Sequence, residues 1–237
     1  DAVSGGTNDS RVIPGSPVGS FYLMEFSHVD SETGLPVYLD RAGNETFDYD
    51  NNERKYVGDG LPDFVGGMTN TFRYKRWDLR ALATFSYGAK IFDSSSKRQL
   101  GVVTSWNMRT EILDRWRQPG DEATFPRLTL DETTYGLPSG FPWWNTSLFV
   151  FDASYLRLRN LTLGYTIPVI GEGPHAVRNL RINASVTNLF TITNFPGLDP
   201  EVVRDFENAQ DRNMSPNVTY LTPPQERAFT LGVNLQF

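Results

Sequence analysis

Six segments of this chain have strand character, roughly 14–26, 62–74, 76–88, 154–167, 179–191 and 227–237, and apolar and polar residues alternate with a period of two over successive ones. That periodicity dictates β-strands with two chemically different faces. The last segment puts Phe229, Leu231, Val233, Leu235 and Phe237 on one face and Ala228, Thr230, Gly232, Asn234 and Gln236 on the other. In 76–88, Trp77, Leu79, Ala81, Ala83, Phe85 and Tyr87 stand against Asp78, Arg80, Leu82, Thr84 and Ser86. In 154–167, Leu156 and Leu158 are out of phase with Leu161, Leu163, Tyr165 and Ile167, and a bulge near Arg159-Asn160 would reconcile them. The longest apolar runs, such as Ser147–Phe151, fall far short of the about 20 residues of a membrane-spanning helix. A barrel strand needs only about 10 alternating residues, so a mean hydropathy of -0.39 leaves the membrane open.

The connections constrain the fold further. Segments two and three are joined by almost nothing (Lys75), and four and five by the Pro/Gly stretch 168–178. The others, 27–61, 88–153 and 191–226, have 35, 66 and 36 residues, so short and long alternate strictly. Compact soluble domains rarely carry three such loops. Outer-membrane barrels do, with short periplasmic turns and long extracellular loops. The long segments hold 22 acidic and 12 basic residues, whereas the remainder holds 6 and 10. Acidic outer loops and strand-face arginines fit a polar lumen, although a solvated soluble surface would be acidic too. Within 88–153, the spacing of Met108, Ile112 and Trp116 predicts a short amphipathic helix over 107–117, ended by Gln118-Pro119-Gly120-Asp121.

Little in the chain points to catalysis. There is no cysteine, and the two histidines, His28 and His175, sit in a loop start and a Pro/Gly turn. Nucleophile elbow, P-loop and zinc-protease motifs are absent, as is a basic stripe for nucleic acid, so no catalytic residue and no metal ligand is assigned. The run Asp48–Glu53 offers oxygens of the kind calcium takes but lacks EF-hand glycine and spacing. A solvated loop tip is favoured there, with calcium in an outer loop as the alternative and no other cofactor expected. Trp143 and Trp144, with Tyr135, are the candidate ligand contacts, since exposed rings stack on sugars or peptides; a girdle or a loop-packing role is the alternative. The chain opens on Asp1-Ala2-Val3 without a signal segment, so the expectation is a removed leader or a part of something longer.

Ordered motifs cover nearly the whole chain. They include Gly15–Tyr22, Gly58–Phe64, Asn70–Lys75, Arg115–Asp121, S-Y-L-R-L-R-N-L-T-L-G-Y-T-I-P at Ser154–Pro168, Ala184–Thr191, Gly197–Glu201 and Pro224–Gly232. In this they resemble SusC/RagA-type TonB-dependent transporters of Bacteroidota. The resemblance implies an all-β fold: the C-terminal six or so strands of a large antiparallel transmembrane barrel of about 22 strands. Family members also carry a plug, a carboxypeptidase-like domain and often a TonB box, none visible here. Six strands cannot close a barrel, so the rest of the barrel, from the same or another chain, is an expected partner.

By that resemblance the parent protein imports oligosaccharides or peptides across the outer membrane of a Gram-negative bacterium and is no enzyme. Its implied partners are a SusD-like surface lipoprotein over the long loops, TonB through the missing plug, lipid and lipopolysaccharide. Ser154, Tyr155, Arg157, Asn188, Gly197, Asp199, Pro200 and Glu201 match family motifs as structural residues, and Phe229 and Phe237 match a barrel-assembly signal. Two alternatives stand: a SusC-like barrel acting as a scaffold in a larger outer-membrane complex, and a soluble all-β carbohydrate-binding domain.

Overall fold

The computed structural model describes residues 2–4, 10–100, 107–128, 145–170, 177–203 and 216–236. In chain order its strands are β1 (Ala2–Ser4), β2 (Ser10–Val12), β3 (Ser20–Leu23), β4 (Glu25–Val29), β5 (Pro36–Leu39), β6 (Glu45–Thr46), β7 (Lys55–Gly58), β8 (Phe64–Tyr74), β9 (Trp77–Tyr87), β10 (Lys90–Asp93), β11 (Val150–Asp152), β12 (Tyr155–Ile170), β13 (Val177–Thr193), β14 (Val218–Thr219) and β15 (Ala228–Gln236). Helix α1 is Ser94–Leu100, and single 3-10 turns occupy Asn51–Glu53, Thr110–Asp114 and Ser147–Phe149. The chain divides into two units whose segments interleave. One comprises Asp1–Leu61, Ala89–Asp152 and Pro196–Pro223; the other comprises Pro62–Gly88, Ala153–Phe195 and Pro224–Phe237.

The second unit is a five-stranded sheet in the order β15-β13-β12-β9-β8, antiparallel throughout. These strands lie in the segments 62–74, 76–88, 154–167, 179–191 and 227–237, with β12 and β13 longer than expected at 16 and 17 residues. The turn between β8 and β9 is the pair Lys75-Arg76 closing a Tyr74↔Trp77 pair. Lys75 stands at φ 54, the left-handed conformation that two-residue hairpin turns require. The register on β12 shifts between Leu158 and Asn160, where the phase slip places a bulge. Across from it Asn188 takes φ 52, and Phe190 and Val186 stand opposite Leu158 and Leu161. By register, the β8–β9 turn and the β12–β13 connection leave one end of the sheet. The connections from β9 to β12 and from β13 to β15 leave the other.

The first unit is built from short sheets: β1-β2-β3-β7, β4-β5-β6 and β11-β10-β14, the last with a parallel β10–β14 pair. Phe21, Leu23, Met24, Tyr38, Tyr49, Phe92, Leu100, Ile112, Phe125, Phe149 and Val218 form its buried core. Segment 14–26 differs from expectation: it supplies β3 and the start of β4 here and is no strand of the five-stranded sheet. The physical reason is that Phe21, Leu23 and Met24 are buried on both sides of the strand, among rings such as Phe92, 6.2 Å from Phe21. Alternation announces a strand but not what covers it.

The helix expected over 107–117 is confined to the 3-10 turn Thr110–Asp114, because Arg109 and Arg115 are extended on either side of it. Ile112 is buried as the spacing requires, whereas Trp116 leaves the helix line. Its ring lies against Gly34, whose φ of +70 and missing Cβ leave room for it, and its indole N–H donates to the Ser31 carbonyl at 2.7 Å. The turn at 118–121 is held by Asp121, whose Oδ2 accepts the N–H of Arg117 and of Gln118. Asn217, at φ 59, ties three connections together: its Nδ2 donates to the carbonyls of Gly60 (2.8 Å) and Lys90 (3.2 Å), and its own carbonyl accepts from Phe92.

Candidate functional site

The five-stranded sheet carries the features from which a function can be built, and it has two faces. One is apolar across all five strands, because register sets like against like. Phe72, Leu79, Leu163, Ala184 and Leu231 form one cross-strand row. Tyr74, Trp77, Tyr165, Ile182 and Val233 form the next, towards the short-turn end. This face is open: Phe64, Met68, Phe72, Phe229 and Leu231 are 61 to 76% exposed. Three rings begin the end row, with Trp77 and Tyr165 centroids 4.6 Å apart. Lys75 Nζ lies 5.3 Å from the Tyr74 ring centre.

The opposite face is polar. Arg73 pairs in register with Asp78, Asp78 with Gly164, Gly164 with Asn183 and Asn183 with Gly232. Here Arg181 donates to Asp78 at 2.5 Å, and this ion pair between β13 and β9 crosses the β12 backbone at Gly164. A Cβ on Gly164 would stand 2.5 Å from Arg181 Nη2 and 2.6 Å from Asp78 Oδ1. Gly232 likewise makes room for the Asn183 amide, which receives a hydrogen bond from Asn234 Nδ2 at 3.2 Å. At the short-turn end, Arg73, Lys75, Arg76, Trp77, Asp78, Thr166 and Arg181 border a depression of about 340 Å³. Neither this ion pair nor its glycine is legible from one strand alone. A glycine inside a period-two run does signal close approach of another group.

Of the family-motif residues, Ser154, Tyr155, Arg157 and Asn188 lie on the five-stranded sheet and the loops at its long-connection end, and Gly197, Asp199, Pro200 and Glu201 lie in the other unit. Ser154 Oγ accepts the N–H of Gly88 at 3.0 Å, and its carbonyl accepts from Thr193 Oγ1 at 2.8 Å. Ser154 and Tyr155 border a second hollow of about 260 Å³ with Phe85, Tyr87 and Ile192. Arg157, on the polar face between Thr84 and Thr191, is buried, with its guanidinium 5.6 Å from the Tyr155 ring centre. Asn188 Nδ2 donates to the Glu226 carbonyl at 3.0 Å, fixing the approach to β15. In the other unit, Gly197 is part of a bend, and Asp199 and Pro200 are buried. Asp199 Oδ1 accepts the Glu201 N–H at 3.0 Å, a turn and not a pair of carboxylates aimed at a reacting group. Phe229 stands 75% exposed on the apolar face. Trp143, Trp144, Tyr135 and Phe237 lie outside the described residues.

Run 48–53 folds as a capped 3-10 turn. Asp50 Oδ1 accepts the Asn52 N–H, and Glu53 Oε2 accepts the Arg41 N–H. Among the described residues no three His, Cys, Asp or Glu side chains gather as a metal cluster. Elsewhere in that unit Asp93 caps α1 through the N–H groups of Ser95 and Ser96 and lies 3.6 Å from Arg109 Nη1. Tyr56 donates to Asp59 Oδ2 at 2.6 Å, and that hydrogen bond above all pushes its phenol up to about 12. The Asp30 carboxyl is held below its ordinary value, first by the Thr33 hydroxyl and then by the Thr33 N–H.

No family model matches the chain. The TonB-dependent receptor P3 of Formosa agariphila is 30% identical over 238 residues, which cover 94% of this chain and 22% of that protein. The TonB-dependent receptor SusC of Bacteroides thetaiotaomicron is 27% identical over 228 residues, covering 94% and 20%. A solved structure of the RagAB peptide transporter superposes with a TM-score of 0.73 at 20% identity, covering 97% of this chain and 25% of that one. The RagAB peptide importer in its open-open state gives 0.71 at 21%, covering 97% and 24%. At these identities the structural likeness carries the fold. The chain spans about a fifth to a quarter of the length of these relatives.

Proposed function

Because the chain belongs to the SusC/RagA-type family of TonB-dependent transporters, we propose that its five-stranded sheet is a section of the wall of an outer-membrane import barrel. The apolar face meets lipid and the polar face, with the Asp78–Arg181 pair, lines the lumen. The short-turn end is periplasmic, and the first unit gathers the long extracellular connections. The remaining strands close the barrel against β8 and β15, which are the edges of the sheet.

The observation that carries this reading is the continuous apolar face over five strands backed by a continuous polar one. In water, leaving that much hydrocarbon exposed costs about 25 cal/mol per Å². In a bilayer it costs nothing, and the polar side then needs an aqueous interior. The cargo is an oligosaccharide or a peptide, taken up with a SusD-like lipoprotein over the extracellular side and with energy passed from TonB to a plug. Transport rather than catalysis is the activity.

The test uses the full-length protein in its own bacterium. It should fractionate with the outer membrane, co-purify with a surface lipoprotein, and its deletion should abolish growth on a defined oligosaccharide or peptide mixture. Recovery as a soluble protein without detergent would sink the barrel. Unchanged growth on both cargo classes, with the outer-membrane complex intact, would replace import by a scaffold role.

A further inference from the structure

The short turn between β8 and β9 is charged in a way that the barrel wall does not need. Arg73, Lys75 and Arg76 fall within four residues, and among the described residues none of the three is ion-paired. The depression they border contains one carboxylate, Asp78, which is already engaged by Arg181. The turn itself therefore carries three cations that no free carboxylate among the residues bordering the depression offsets.

Beside this charge lies the ring row of the apolar face. Tyr74 and Trp77 are register partners, and so are Trp77 and Tyr165. Tyr74 and Trp77 are 70% and 49% exposed. Amphipathic rings settle at headgroup depth in a bilayer. Lys75 shares that depth, since its ammonium lies 5.3 Å from the Tyr74 ring centre, and Arg76 follows it in the same turn at that end of the sheet. Phe72 and Leu79, the next register pair inwards, continue the face on which acyl chains would lie.

We propose that Lys75 and Arg76, with Arg73 behind them and the Tyr74–Trp77 ring pair beside them, bind the phosphate of an anionic phospholipid in the leaflet at the short-turn end. The inference rests on the barrel reading, which sets that end at a membrane surface. Charge complementarity selects the ligand: a phosphatidylglycerol headgroup carries a net negative charge that phosphatidylethanolamine lacks. Each surface cation contributes enough to be read as roughly a fivefold change in affinity.

The experiment takes full-length protein in detergent and counts retained lipids by native mass spectrometry against mixtures of phosphatidylglycerol and phosphatidylethanolamine. Wild type should keep phosphatidylglycerol preferentially. The double variant Lys75→Asn/Arg76→Gln should lose that preference by more than tenfold, since about fivefold goes with each charge. Asparagine is chosen because it tolerates the left-handed backbone at position 75. Arg80→Gln, one register step inside the polar face, should leave lipid retention unchanged. Equal retention of the two lipids by wild type, or an unchanged preference in the double variant, overturns the proposal and leaves the barrel standing. A full-length protein absent from the outer-membrane fraction overturns both.

Discussion

At the residue scale, the most informative position is a glycine. Gly164 exists so that a carboxylate on β9 and a guanidinium on β13 can meet over the strand between them. Gly164→Ala should therefore act through the ion pair, since the Cβ would meet the far ends of two flexible side chains and not backbone. Asp78→Asn removes the same pair. In unfolding experiments on the full-length protein, each change should cost about 1 kcal/mol, and the double variant little more than either alone. Additive losses would show that the glycine serves the backbone instead. Tyr56 offers a test by pH. An unfolded chain releases a tyrosine proton near 10.0, whereas the folded chain keeps this one to about 12. Its contribution to stability is complete below pH 10 and disappears as pH rises through about 12. Replacing Asp59 by Ala should bring the ionisation back towards 10.0, read as phenolate absorbance against a Tyr56→Phe reference.

At the element scale, the two faces of a strand predict opposite tolerances. Leu163 and Thr162 are neighbours on β12, one on the apolar face beside Leu79 and Ala184, the other on the polar face beside Arg80 and Ser185. Leu163→Arg should destabilise the assembled protein by about 2–4 kcal/mol, whereas Thr162→Arg should stay near neutral, measured by denaturant titration in lipid vesicles. Equal costs would count against a lipid-facing surface. These faces were legible in the sequence because side-chain alternation is a property of the backbone alone. The bulge was legible too, since Leu158 and Leu161 can share a face only if one residue is skipped. What was not legible is what covers each strand. Phe21, Leu23 and Met24 read as part of one more strand and are fully buried in a compact core. The positions of Trp116 and Arg157 likewise depend on partners far along the chain. Gly34 lies 82 residues before Trp116, and Thr191 follows Arg157 by 34.

At the scale of the whole molecule, both edges of the sheet matter. The outer edge of β15 pairs with nothing among the described residues, and backbone groups left open in hydrocarbon cost several kcal/mol each. Closure against another strand is then the step on which assembly turns.

Interleaving of the two units has a consequence in time. The core of the first unit takes Phe21, Tyr38 and Tyr49 from one stretch, Phe92, Ile112 and Phe149 from a second, and Val218 from a third. The Asn217 carbonyl and amide, which bind Phe92, Gly60 and Lys90, arrive with that third stretch. Contacts this distant in sequence must wait for loop closure and form slowly. The core can complete itself only by closing a loop over β12 and β13, because they lie between its second and third parts. The core is thereby ordered: without the third stretch the chain holds most of the core's residues but lacks Val218 and the Asn217 ties that join them.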